Sequence, residues 1–312
     1  MTAGFDPIEA AILKTVLYAD VFNFPLTIPE LYHYLIIDRP VTFEQVSAVL
    51  AESRALAPLL RVIDGYVIYN ERRELIALRR ERERASAALW DRAVRYGAWL
   101  ARLPFVRMVA LTGALSMRNA SGDHDDLDYV LVTAPGRVWL ARGFAVLLVK
   151  LAKHRGVVIC PNYVLATTAL AQTRRTLYVA HEIAQMVPLY GMAIYAQMRA
   201  ANPWVRAHLY NADHAYYQPP EQHLGSIWRA LKNGLERLMS GQLGRRLDQW
   251  EHERKLRRFE SALKQADGAA RLDSEQVKGH FRDHGRWVMQ HYRERLRLHH
   301  LDDDEPLALA GD

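Results

Sequence analysis

Apolar residues recur at helical spacing between Ile8 and Val21, predicting an amphipathic helix near the start of the chain. Two further helix openings follow. Thr27-Ile-Pro-Glu30 and Thr42-Phe-Glu-Gln45 have capping-box spacing, and the first places proline just inside the helix. The third helix is predicted to run to about Leu56. From Arg61 to Tyr69 two short strands flank Asp64-Gly65, a hairpin signal. Residues 71–103 read as one long helix rich in Arg and Glu pairs four apart; Trp90, Tyr96, Trp99 and Leu100 require a packing partner.

Residues 104–170 change period. Apolar runs at Met108–Leu111, Tyr129–Val132 and Val157–Leu165 read as strands. Pro135-Gly136 turns the chain into a helix from Arg137 to His154, which Gly156 ends. Residues 171–300 read as helical: Thr176–Pro188, Ala193–Asn202, His223–Met239, Arg245–Ala266, and a last helix from Ser274 to about His299. The expected fold class is α+β. Its parts are a winged-helix-like module (1–70), a connecting helix (71–103), a small mixed-sheet core (104–170), a helical C-terminal region (171–300) and a flexible acidic tail (301–312). As a DNA reader the module would present its third helix, which carries Glu44, Glu52 and a single cation, Arg54. A structural or protein-contact role is the better reading.

Half of the residues are apolar, so a substantial core is expected. The formal charge of +6 mildly favours an anionic partner. The single cysteine, Cys160, excludes an internal disulfide and a cysteine-based zinc cluster, and its apolar strand suggests a buried, inert thiol. No leader pattern opens the chain, and its most apolar helix is shorter than the ~20 residues a bilayer needs. A cytoplasmic location is expected.

The candidate chemistry lies between Val109 and Val132. Asp126 and Asp128 stand one residue apart at the head of a strand, so both project to one face while Leu127 points inward. Two such carboxylates repel unless a cation joins them. Gly113, at the end of the neighbouring strand, allows backbone to approach a bulky anion. The pattern is that of a divalent metal beside a phosphate.

At these residues the chain resembles the DNA polymerase β-like nucleotidyltransferase superfamily, whose pattern is a glycine, a spacer and Asp-hydrophobic-Asp on a strand. The phrases DVFNFPLT, PGRVWLAR and ANPWVR are similar to a bacterial group of nucleotidyltransferase-domain proteins, over most of the chain. The resemblance implies magnesium held by Asp126 and Asp128. It implies an NTP whose phosphates border Gly113 and Ala114, within reach of Ser116, Arg118 and Asn119. It also implies transfer of a nucleoside monophosphate to an unknown hydroxyl on a small molecule, protein or RNA. Two positions depart from the pattern. Ala114 stands where a serine or glycine is usual, with Thr112 and Ser116 the nearest hydroxyls. Asn162 occupies the third strand where a carboxylate is often found. A nucleotide-binding protein without catalysis is therefore one alternative, and a winged-helix DNA-binding regulator another.

Other polar groups have plain readings. Asp123, His124 and Asp125 fit a polar turn. His181-Glu182 lacks a second histidine four residues on and reads as a surface pair. Lys278 to Arg286 packs histidines, cations and glycines together and reads as an exposed helix start; His299-His300 reads as exposed. Trp228, Leu231, Leu235 and Leu238 lie on a basic helix. Packing within a domain is the expected use of those side chains, and contact with an anionic membrane the other.

Overall fold

The structure, a computed structural model, describes residues 4–265, 271–278 and 284–302. Three capping boxes start the N-terminal helices. Asp6 and Glu9 cap α1 (Pro7–Asp20), Thr27 and Glu30 cap α2 (Ile28–His33), and Thr42 and Gln45 cap α3 (Phe43–Glu52). A short β1 (Leu26–Thr27) precedes α2. The hairpin forms from β2 (Leu60–Ile63) and β3 (Tyr66–Tyr69), with Asp64 and Gly65 both at positive φ, as a tight two-residue turn requires. Together with β1 it makes a three-stranded antiparallel sheet.

The long helix α4 (Glu74–Ala101) leads into a six-stranded sheet of mixed direction, confirming the α+β class. Its strands are β4 (Val106–Leu111), β5 (Leu127–Thr133), β6 (Ile159–Ala166), β7 (Val187–Tyr190), β8 (Arg271–Leu272) and β9 (Gln276–Lys278), in the order β7-β4-β5-β6-β9-β8. Only β5 and β6 are parallel, joined by the crossover helix α6 (Val138–Lys153). A one-turn helix, α5 (Gly113–Ser116), lies between β4 and β5.

Two of these strands, β7 and β9, fall where the sequence reads as helix. The helix expected over Thr176–Pro188 is α7 (Leu177–Ala184), and the chain then extends along β4 as β7. Pro188 is tolerated there because β7 is an edge strand. Gly191, which ends it, sits at φ +81° with its missing Cβ only 2.1 Å from the Arg107 carbonyl, so no larger residue fits. The last helix, α11 (His284–Leu298), starts later than expected, because Gln276–Lys278 pairs with β6. Residues 279–283 of the Lys278–Arg286 motif, and the tail beyond Asp302, lie outside the described residues.

Strand alternation feeds two cores. Met108, Ala110, Val130 and Val132 face one side and join Ile12, Leu17 and Leu31 of the N-terminal helices with Ile183 of α7 and Tyr292 of α11. Val109, Leu111, Tyr129 and Leu131 face the other side and pack with Leu89 and Leu100 of α4 and Trp139 of α6. The N-terminal helices thus share a core with one face of the larger sheet. After α8 (Met192–Ala200), helices α9 (Ser226–Met239) and α10 (Gln242–Gln265) lie at the periphery. Their Leu231, Leu235, Leu238 and Leu243 are exposed, which overturns the expected packing of the α9 leucines in a core. Among the described residues no helix is long and apolar enough to cross a membrane.

Candidate functional site

Asp128 sits near the head of β5, and its surroundings come from three segments. Gly113 opens α5 at φ +65°, and a Cβ there would lie 2.2 Å from Asp128 Oδ2. The glycine therefore makes room for the carboxylate as well as bending the backbone. On the other side Asn162 Nδ2 donates to Asp128 Oδ1 at 2.6 Å. That contact depends on an irregularity of β6. Tyr129 pairs with Pro161 and Val130 with Tyr163, so Asn162 is an extra, bulged residue. Proline cannot donate to a ladder and is at home at a bulge, and a bulge re-aims a side chain.

Burial pushes the Asp128 carboxyl up to about 7. The hydrogen bond from Asn162 opposes the rise, while the negative charges of Asp126, Asp125 and Glu182 add to it. Cys160 completes the surroundings. It is half-buried rather than buried, and its thiol donates to Asn162 Oδ1 at 2.6 Å. Burial first, then Asp128 and Asp126, push that thiol up to about 11, so it stays protonated.

The other sequence candidates separate. Asp126 is exposed, one residue before β5, and its backbone N–H donates to Asp125 Oδ1. Ala114 is exposed beside Gly113. Ser116 is buried and donates its hydroxyl to the Gly113 carbonyl at 2.8 Å, so it faces into the turn. Arg118 leaves the site, its guanidinium lying 3.5 Å from the centre of the Trp90 ring. Asn119 accepts from Arg82 at 3.0 Å. Gly113, Asp126, Asp128 and Asn162 thus gather in one place, whereas Ser116 and Arg118 are committed elsewhere. Asp123 and His124 are exposed, consistent with a polar turn.

His181 and Glu182 are what sequence reading missed. His181 is not a surface residue: it is 4% exposed and stacked on Tyr18 at 4.0 Å between ring centres. Burial holds its imidazole down at about 3, so the ring is neutral. Glu182, the next residue of α7, adds its charge to the field at Asp128. The sequence signal was available in part, since His181 and Glu182 lie three and four residues after Tyr178 on one helix.

A cavity of about 230 Å³ adjoins this place. Gly113, Ala114 and Glu182 form part of its wall, and Tyr18, Phe24 and Tyr34 form another part.

Among the described residues no three His, Cys, Asp or Glu side chains come together to hold a metal ion. A pair of carboxylates nonetheless suits magnesium, which takes its other ligands from water and phosphate. A divalent cation would also offset the repulsion that Asp126 and Asp125 exert on Asp128. Comparison with protein-family models, curated proteins and solved structures finds no match to this chain.

Proposed function

We propose that the protein is a magnesium-dependent nucleotidyltransferase, moving a nucleoside monophosphate from an NTP to a hydroxyl acceptor. The observation that carries this reading is the setting of Asp128, a half-buried carboxylate wedged between a left-handed glycine and an amide, in the field of three other carboxylates. Such a concentration of negative charge is costly in the free protein, and a bound cation relieves it. Asp126 and Asp128 would hold the ion, which when bound neutralises phosphate charge. Gly113 and Ala114 leave backbone open to the phosphates, and Asn162 orients Asp128. Residues 1–70 act as a winged-helix-like packing module in this reading. DNA binding is not favoured, since α3 presents Glu44 and Glu52 and contains no lysine or arginine.

The second reading is a protein that binds nucleotide without transferring it. Ser116 favours it: the hydroxyl that could replace the usual phosphate contact is turned onto Gly113.

A thermal-shift panel of the four NTPs, with and without magnesium, tests the site. A ligand at 100 times its dissociation constant stabilises by about 2.7 kcal/mol, and that gain should vanish in Asp126→Asn/Asp128→Asn. Without ligand, Asp128→Asn alone should be more stable than wild type by about 1 kcal/mol, because it keeps the Asn162 contact and removes the crowded charge. Absence of any magnesium-dependent shift with all four nucleotides overturns the proposal. Transfer of radiolabel from the α-phosphate to an acceptor separates the two readings.

A further inference from the structure

Between Ser226 and Trp250 the fold turns polar anchors inward and leaves leucines outside. Lys232 of α9 donates to the carbonyls of Ala101 and Val106, and Glu236 pairs with Arg107. At the corner between α9 and α10 the buried Arg137 donates to the Ser240 carbonyl at 2.7 Å. In α10 Asp248 accepts from the Leu140 N–H at 2.8 Å. These contacts fix which side of each helix meets the body of the protein. The corner is also tight. A Cβ on Gly244 would collide with the Met239 carbonyl, so glycine is what lets α10 start so close to the end of α9.

The outward side is apolar. Ile227, Leu231, Leu235 and Leu238 recur along α9 at spacings of three and four, as do Leu243, Leu247 and Trp250 along α10, and all are exposed. Exposed apolar side chains gathered on two successive helices mark an interaction surface, where single ones would not. Charge is sorted over the same stretch. Glu236 and Asp248 are the only acids from Ser226 to Trp250, and both serve as inward anchors. Arg229, Arg237, Arg245 and Arg246 are exposed. At the start of α9, Trp228 meets Trp99 edge-on at 5.5 Å, and the Arg102 guanidinium lies 4.8 and 4.3 Å from the centres of the two rings. Tryptophan and arginine both suit a boundary between lipid and water, having an apolar body and a polar end.

We propose that the α9–α10 corner docks in the plane of a membrane that carries anionic lipid. With 14 residues α9 is too short to span a bilayer, which takes roughly 20. It lies along the surface instead, with its leucines among the acyl chains and the arginines at the headgroup phosphates. A second copy of the chain fits this surface less well. Two-fold pairing sets one arginine cluster against another, and no outward acid on the stretch offsets them. The inference is independent of the nucleotidyltransferase reading.

Vesicle flotation of the full chain tests it, with phosphatidylcholine alone and with phosphatidylcholine containing phosphatidylserine. The protein should float with the anionic vesicles, at least about tenfold more weakly with the neutral ones, and less as salt is raised. Leu231→Asp/Leu238→Asp should weaken binding at least about tenfold, and these exposed positions leave the folded state intact, as circular dichroism should show. Arg237→Gln/Arg245→Gln/Arg246→Gln should abolish the preference for phosphatidylserine while keeping the leucines. Brominated lipid should quench the tryptophan fluorescence, and Trp228→Phe/Trp250→Phe should remove most of that quenching. Absence of binding to anionic vesicles, or binding untouched by the leucine and arginine variants, overturns the proposal. So does a dimer in sedimentation velocity that Leu231→Asp/Leu238→Asp dissociates, which would assign the surface to a second copy. Asp126→Asn/Asp128→Asn should float as wild type does, so the outcome is separate from that of the nucleotide site.

Discussion

Helices α1 and α9 both carry apolar residues at helical spacing, and the fold uses them in opposite senses. In α1 the apolar side is inward: Ile12, Leu13 and Leu17 have no exposed surface. In α9 Ile227 is 73% and Leu238 70% exposed, while Lys232 is 5% exposed. Lys232 donates to the carbonyls of Ala101 and Val106, at 2.7 and 2.6 Å. One turn on, Glu236 accepts from the Phe105 N–H and pairs with both terminal nitrogens of Arg107. Helix α10 repeats the device, with Asp248 buried as acceptor for the Leu140 N–H and Trp250 exposed. A hydrophobic stripe says that a helix has a face. It does not say that the face is the one turned inward, because buried backbone carbonyls and N–H groups left over at α4, β4 and α6 attract polar side chains just as strongly.

The contrast can be broken from the α1 side first. His33 and His181 are both held neutral by burial, at about 4 and about 3, and both pack on the N-terminal aromatic cluster. Each binds a proton more readily when unfolded. Stability is therefore complete above pH 6.5 and falls as pH drops from there toward 4, by about 1.4 kcal/mol per pH unit for each group. Denaturant titrations across that range should show the slope, and His181→Phe should reduce it by one proton.

Leu17→Ala should lower unfolding free energy by about 2–5 kcal/mol, since it opens a void among fully buried neighbours. Chemical denaturation measures it. Lys232→Ala should cost about 1–3 kcal/mol, by leaving two carbonyls without a donor. A loss from this exposed-looking helix comparable with that from a core leucine would sharpen the comparison, because the anchor is polar. Smallest is Leu231→Ser on the outer side of α9, expected within about 0.5 kcal/mol of wild type. A loss of 2 kcal/mol there would mean that α9 packs the other way round.

Much of the local structure was legible in the chain. The two predicted capping boxes and the Asp64-Gly65 hairpin formed at their expected residues, because each is closed by hydrogen bonds or turn geometry within a few positions. The α1 stripe, the β4–β5 pair and the crossover helix were equally readable. Misreadings fell on short apolar stretches. Val187-Pro-Leu-Tyr190 follows a helix after only Gln185 and Met186, and its pairing with β4 makes it a strand. Gln276–Lys278 is a strand for the same reason, through β6.

At the candidate site the division is similar. Asp126, Asp128 and Gly113 stand out in the chain, since a glycine before a carboxylate pair on a strand is a pattern of few residues. The role of Asn162 emerges only from a bulge, which shifts one residue out of register and turns its amide to Asp128. Arg79 belongs to the Arg- and Glu-rich run of α4. It is buried, donating to Glu30 at 2.8 Å and lying 3.8 Å from the centre of the Phe24 ring. Sequence by itself determined the elements whose bonds close locally, and the types of residue on offer at one acidic turn. The tertiary structure alone decided that His181 lies against Tyr18, that Glu182 joins the field of Asp128, and that Lys232 rather than Leu231 faces the protein. Those outcomes depend on desolvation and on partners far along the chain, and neither quantity is written in the spacing of apolar residues.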